Sequence, residues 1–210
     1  MLNIIVCIKQ VPMVSELPWN SKTGTLKREL AEGMMDPASR RALEAALQIK
    51  ENLDANICAV TMGPAMAEEI LHQAKALGAD EGVLLTDRRM AGADTFLTSH
   101  ILSRFIQREY NSFDLVICGS QTSDSETAQV GPQLAEDLGI PAIGYINKIS
   151  VKENTVEVQR HWMIFLKPSV WIYQDLLPLI FLPTNPDILP LKGWKRPLKI
   201  LISELLMLKN

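Results

Sequence analysis

The sequence predicts an open, mostly parallel α/β sheet with helices on both faces. Three observations carry this expectation. Over the first 160 residues, short apolar runs alternate with longer stretches of helical spacing. Runs such as "NIIVCIK" and "ANICAVTMG" have continuous apolar centres, the mark of strands buried on both faces. The intervening stretches have the length of right-handed crossover helices, which join parallel neighbours.

The elements follow in order. "NIIVCIK" (Asn3–Lys9) reads as the first strand, and residues 11–35, rich in polar and turn-forming types, as a long excursion. "DPASRRALEAALQIKENL" (Asp36–Leu53) reads as a helix, with Asp36 as N-cap and Pro37 at the first helical position. "ANICAVTMG" (Ala55–Gly63) is a strand, and "PAMAEEILHQAKALGA" (Pro64–Ala79) is a helix ending at Gly78. "GVLLTD" (Gly82–Asp87) is a strand and "ADTFLTSHILSRFIQREY" (Ala93–Tyr110) a helix. "FDLVICG" (Phe113–Gly119) is a strand, Thr127 to Leu138 a helix, and "ISVKENTVEVQR" (Ile149–Arg160) a hairpin.

Bulk properties narrow the function. A chain of 210 residues can bury a real core, and its net charge of −3 gives no argument for nucleic acid or an anionic membrane surface. Cys7, Cys58 and Cys118 each sit inside an apolar run without a CxxC spacing, which fits reduced thiols in a cytoplasmic protein. The start lacks the basic stretch and cleavage site of a signal peptide, and no apolar run is long enough to span a bilayer.

Ligands of open α/β sheets bind at the carboxyl ends of the strands. Two such ends are unusual here. Met62-Gly63-Pro64 allows close backbone approach and opens a helix. Gly119 to Gly131 is a longer loop whose hydroxyls (Ser120, Thr122, Ser123, Ser125, Thr127) and amides meet a helix N-terminus, with no lysine or arginine among them. Such a loop can hold a diphosphate through main-chain donors and the helix dipole; a solvated Ser/Thr-rich surface loop is the plainer alternative. Competing motifs are missing: there is no Walker loop, no GxGxxG after the first strand and no GxSxG elbow. Asp124 and Glu126 lack the third group that acid–base catalysis would need, and the three histidines are too dispersed for a metal site.

Taken together, "VCIKQVP", "MDPASRRALEAAL", "AVTMGPA", "ALGADEGVLLTD" and "GSQTSDSETAQVGPQLAEDLGIP" resemble the beta subunit of electron transfer flavoprotein over about residues 1–160. The resemblance implies a Rossmann-like, adenine-nucleotide alpha-hydrolase-like fold and an adenine-nucleotide site. By motif, Cys7, Asp36 and Met62 would line the adenosine end. Gly119, Ser120, Gln121, Thr122, Ser123, Asp124, Ser125, Glu126, Thr127, Ala128, Gln129 and Val130 would wrap the phosphates. Asp36 stands where the family usually has asparagine, and Ser120 where it usually has a basic residue. "RRMAGADTFLTS" (Arg88–Ser99) resembles the electron-bifurcating branch, in which Asp94, Thr95 and Thr98 would face a flavin; capping of the following helix explains Asp94 and Thr95 equally well. FAD is thus the favoured occupant and AMP the alternative. The resemblance also implies an alpha-subunit partner, an acyl-CoA or similar dehydrogenase, and, in the bifurcating version, NADH and a ferredoxin or flavodoxin. No residue is assigned a catalytic role, because the flavin would carry the redox chemistry. A universal-stress-type ATP-binding homodimer, built on a similar sheet, is the second reading.

After His161 the text changes character. Residues 162–210 contain no alanine, three of the four tryptophans and six of the twelve prolines, and no period survives across them. Reading the third base of each codon with the first two of the next converts Trp162-Met163-Ile164 to Asp-Asp. With suitable synonymous codons it converts Thr184 to Lys192 to "KPRYSSLK", which resembles the family's own C-terminal text. The expectation is therefore a nucleotide-binding domain over residues 1–160 followed by an aberrant tail over 161–210, translated out of frame. Such a tail would fold weakly, lower solubility and impair assembly, leaving an inactive, frame-damaged subunit as a further reading. Sequencing the gene is expected to show codons compatible with that shifted peptide; codons incompatible with it would contradict the frame slip.

Overall fold

The computed structural model describes residues 1–13, 19–20, 25–26, 33–110, 112–144, 146–152, 155–160 and 179–181. The chain opens with β1 (Leu2–Cys7). The excursion after it holds four short strands, β2 (Gln10–Pro12), β3 (Trp19–Asn20), β4 (Thr25–Leu26) and β5 (Gly33–Met35), where the sequence pattern predicts only loop. They pair antiparallel, β2 with β5 and β3 with β4. Then come α1 (Pro37–Asn52), β6 (Ala55–Met62), α2 (Glu68–Leu77), β7 (Glu81–Leu85), α3 (Thr95–Glu109), β8 (Leu115–Cys118) and α4 (Val130–Leu138). The described residues close with β9 (Ala142–Ile143), the hairpin β10 (Ile146–Lys152) and β11 (Thr155–Arg160), and β12 (Leu179–Phe181).

The main sheet runs β7-β6-β1-β8-β12-β9. Its first four strands are parallel, while β12 lies antiparallel to both β8 and β9. From β1 the chain steps outward through β6 to β7, then returns to place β8 on the other side of β1. That reversal leaves a crevice above the carboxyl ends of β1 and β8, the position at which sheets of this order accept ligands.

Alternation along the strands builds two cores. Ile4, Val6, Ile57, Ala59, Leu115 and Ile117 pack against Leu43, Ala46 and Ile49 of α1 and Ile70 and Leu71 of α2. Ile5, Cys58, Val60, Val116 and Cys118 face the opposite way, against Leu102 and Ile106 of α3 and Leu134, Ala135 and Leu138 of α4. Helices thus cover both faces, as the continuous apolar strands require. Each fully buried isoleucine or leucine stabilises the fold by about 1.5–3 kcal/mol.

The main departures from the sequence reading have local reasons. A 3-10 turn, Ala65–Ala67, precedes α2, so the helix proper begins after Pro64 rather than at it. The helix expected from Thr127 starts at Val130, because Glu126 (φ 50°) and Ala128 (φ 55°) are left-handed and cannot continue a right-handed helix. The tail supplies β12, a strand its proline content does not predict; the rest of residues 161–210 lies outside the described residues. Among the described residues no helix is long and apolar enough to cross a membrane.

Gly119 fixes how closely the sheet meets α1. A Cβ there would lie 2.9 Å from the Ala38 carbonyl carbon, 3.0 Å from the Ala38 Cβ and 3.1 Å from the Ser39 nitrogen. Only glycine lets the end of β8 approach the first turn of α1 this closely.

Candidate functional site

A cavity of about 1190 Å³ opens at the carboxyl end of the sheet. Cys7 at the end of β1, Met62 at the end of β6, Thr86 after β7 and Cys118 at the end of β8 all line it. The loop between β8 and α4 forms one wall through Gly119, Ser120, Gln121, Thr122, Ser125, Thr127, Ala128, Gln129 and Val130. The segment leading into α3 forms another through Asp94, Thr95 and Thr98.

The loop is held from behind by Asp36. This carboxylate is 1% exposed. Its Oδ2 accepts from the Ala38 and Ser39 amides at 2.9 and 3.2 Å, capping α1, and its Oδ1 accepts from the amide and hydroxyl of Ser123, both at 2.8 Å. One side chain therefore fixes a helix start and a loop separated by 87 positions in sequence. The loop closes on itself as well: the Glu126 amide donates to the Thr122 carbonyl at 2.8 Å, and the Thr122 and Ser125 hydroxyls share a 2.8 Å hydrogen bond.

Donors at the end of this wall are less engaged. The Gln129 side chain does not cap α4, which leaves the amides of its first turn capacity for an acceptor from the cavity. Left-handed Ala128 (φ 55°) is followed by right-handed Gln129 (φ −104°, ψ −32°), the kind of alternation that in other proteins turns successive N–H groups toward one point. Among the described residues the Ser120 hydroxyl is buried without a hydrogen-bond partner. Across the mouth, Thr95 donates to the Gln129 side-chain oxygen at 2.9 Å, joining the starts of α3 and α4. Asp94 caps α3 by accepting from the Leu97 amide at 2.8 Å, so its helix-capping reading holds.

Asp36, Ser123, Asp124 and Glu126 do not line the cavity. Asp36 sits behind the wall, because both its oxygens are consumed by α1 and Ser123. The cavity's cations come from outside the loop. The loop itself has no cation, but Lys9, just past β1, lines the cavity, and so does Arg88. The Lys9 ammonium donates to both Asp124 oxygens at 2.7 and 2.8 Å, and its amide donates to the Ser39 hydroxyl at 3.0 Å. Against the burial that would raise it, Lys9 and the Thr122 hydroxyl hold the Asp124 carboxyl below the usual carboxylate range. The folded value being depressed, the pair's contribution is present above the ordinary carboxylate range and is lost as pH falls through the folded value. At the far rim, hydrogen bonds from Arg89 hold the exposed Asp87 carboxyl at about 2. The signal for Lys9 is its place, two residues beyond the end of β1 at the crevice; nothing in the loop's own composition points to it.

Residues 23–163 match the electron transfer flavoprotein domain. The chain belongs to the electron transfer flavoprotein family. It is 44% identical over 161 residues to the electron transfer flavoprotein subunit beta of Clostridium acetobutylicum, covering 77% of this chain and 61% of that protein. It is 42% identical over 160 residues to the caffeyl-CoA reductase-Etf complex subunit CarD of Acetobacterium woodii, covering 76% and 61%. Protein FixA of Sinorhizobium fredii is 40% identical over 165 residues, covering 76% and 58%. The chain spans about six-tenths of the length of these curated relatives.

The double role of Asp36 in this family member predicts a graded response to substitution. Asp36→Ala removes the cap and the loop clasp together and is expected to cost about 2–4 kcal/mol in denaturant unfolding. Asp36→Asn keeps one oxygen for α1 but turns an NH₂ toward the Ser123 amide. It is expected to retain most of the stability while the Ser123 amide loses its protection from hydrogen exchange. Equal protection of that amide in the wild type and the asparagine variant would contradict the clasp.

Proposed function

We propose that this chain is a beta-type electron transfer flavoprotein subunit whose cavity holds FAD, with AMP as the alternative, and which pairs with an alpha subunit to pass electrons between NADH or dehydrogenases and their acceptors. The observation that carries the reading is the continuity of the cavity: the amide-rich loop between Gly119 and Gly131 walls the same space as residues 86–98. At about 1190 Å³ it exceeds the roughly 300–1,000 Å³ of ordinary ligand clefts. An extended dinucleotide suits that span better than a mononucleotide does. The unpartnered Ser120 hydroxyl, the left-handed Ala128 and the start of α4 fit phosphate oxygens.

Bound FAD would supply the hydride and single-electron chemistry; the chain's own residues position and tune. Amides of the loop and of the first turn of α4 would orient the phosphates. Lys9 would contribute the positive charge that Ser120 does not, exchanging part of its bond with Asp124 for a phosphate oxygen. Cys7 and Met62 would give the floor an apolar, polarisable surface. The names of the relatives favour a reductase or dehydrogenase complex as the electron partner, since one belongs to a caffeyl-CoA reductase-Etf complex and another is an acryloyl-CoA reductase electron transfer subunit. A universal-stress-type ATP-binding homodimer gains no support from these relatives.

Two measurements test the proposal. By calorimetry, AMP should bind more tightly than adenosine, and Lys9→Gln should weaken AMP by about tenfold while leaving adenosine unchanged; equal affinities for the two ligands in the wild type would contradict the phosphate site. In a complex co-purified with its alpha subunit, extraction should yield flavin from both subunits and no adenylate. One flavin with one AMP would overturn the FAD assignment and leave a simple carrier.

A further inference from the structure

The last residues of β1 and β8, Cys7 and Cys118, are direct register partners on adjacent parallel strands. Neighbouring strands lie about 4.8 Å apart, inside the roughly 4.4–6.8 Å Cα separation that a disulfide accepts. Side chains in register leave a sheet on the same face, and both thiols belong to the face packed by α3 and α4. Both also line the cavity, Cys7 half-buried and Cys118 almost fully buried. The third cysteine is placed differently. Cys58 lies in the interior of β6, away from the cavity lining, with the Tyr110 hydroxyl 2.8 Å from its sulfur. Burial pushes its thiol up to about 11.

We propose that Cys7 and Cys118 form a redox-active dithiol in the cavity floor, converted to a Cys7–Cys118 disulfide by a low-molecular-weight disulfide of the glutathione type. The reagent reaches Cys7 through the open cavity. The Cys7 sulfur attacks one reagent sulfur, the reagent's S–S bond breaks, and one reagent thiol leaves with the Cys7 proton. The Cys118 sulfur then attacks the Cys7 sulfur, the mixed disulfide breaks, and the second reagent thiol leaves with the Cys118 proton. Two protein thiols lose two electrons and two protons, and one reagent disulfide becomes two thiols. The hydrogen bond with Cys7, together with burial, holds the Cys118 thiol well above its ordinary range, so the second step is the slower. The bridge ties β1 to β8 at the crevice where a bound ligand would rest. The thiol chemistry requires no nucleotide, and a ligand seated on Cys7 would block the reagent, so the test uses chain freed of bound nucleotide.

The test is native treatment of the full chain with oxidised glutathione, followed by intact mass and peptide mapping. The wild type is expected to lose the mass of two hydrogens and to join the Cys7 and Cys118 peptides, with Cys58 unmodified. Cys118→Ala is expected to stop at a glutathione adduct on Cys7, and Cys58→Ser to bridge as the wild type does. A wild type that stops at the Cys7 adduct, bridges through Cys58, or leaves Cys7 unreacted overturns the proposal. The wild-type result decides by itself if a variant fails to fold, and an untouched Cys58 reports that the sheet is intact.

Discussion

Asp36 is a nearly buried carboxylate that accepts four hydrogen bonds, two from the start of α1 and two from Ser123 in the loop after β8. A charge removed from water is costly unless its lone pairs are met. Here each is met only when the helix start and the loop are both in place. The interaction thereby couples two segments far apart in sequence and sets the wall of the cavity. Gly119 permits the coupling, because any larger residue would push the end of β8 off Ala38. The rest of the wall follows: the turn closed by Thr122, the left-handed residues 126 and 128, and an α4 that its N-cap residue Gln129 does not cap with its side chain.

The sheet order gives this wall its place. β1 sits at the reversal of strand order, so its end and that of β8 face one open crevice rather than a crossover helix. Charge is distributed around that crevice, not concentrated in one motif. Lys9 arrives from β1, Arg88 from beyond β7, and the dipoles of α3 and α4 from the opposite side. Asp124 holds Lys9 at the rim, where the proposed phosphate would meet it. Strain at Glu126 and Ala128, of order 1–3 kcal/mol for each such residue, is sustained because Asp36 and the Thr122 turn over-determine the loop.

Much of the fold was legible because strand and helix periods differ and the crossover lengths leave few topologies. Asp36 as N-cap, Pro37 inside the helix and Gly78 at the end of α2 could be read directly, and the structure has each in that role. The loop from Gly119 to Val130 was legible as a group because its composition breaks so sharply from the preceding apolar strand. What escaped depends on distance in sequence. Nothing local tells that Asp36 reaches Ser123, or that Lys9 meets Asp124 across 115 positions. The late start of α4 escaped because helical spacing continues through Thr127, while the backbone there is set by tertiary contacts. Short ladders in the excursion, and the strand at Leu179–Phe181, carry too few residues for any periodicity to register.

The central claim is that main-chain amides between Gly119 and Gly131 receive a phosphate. Amide chemical-shift titration of labelled protein tests it residue by residue. The account predicts that AMP shifts the amides of this loop and the first turn of α4 far more than adenosine does, with the largest changes at residues 128–131. Identical shifts with both ligands, or loop amides that stay in place while AMP binds elsewhere, would contradict it.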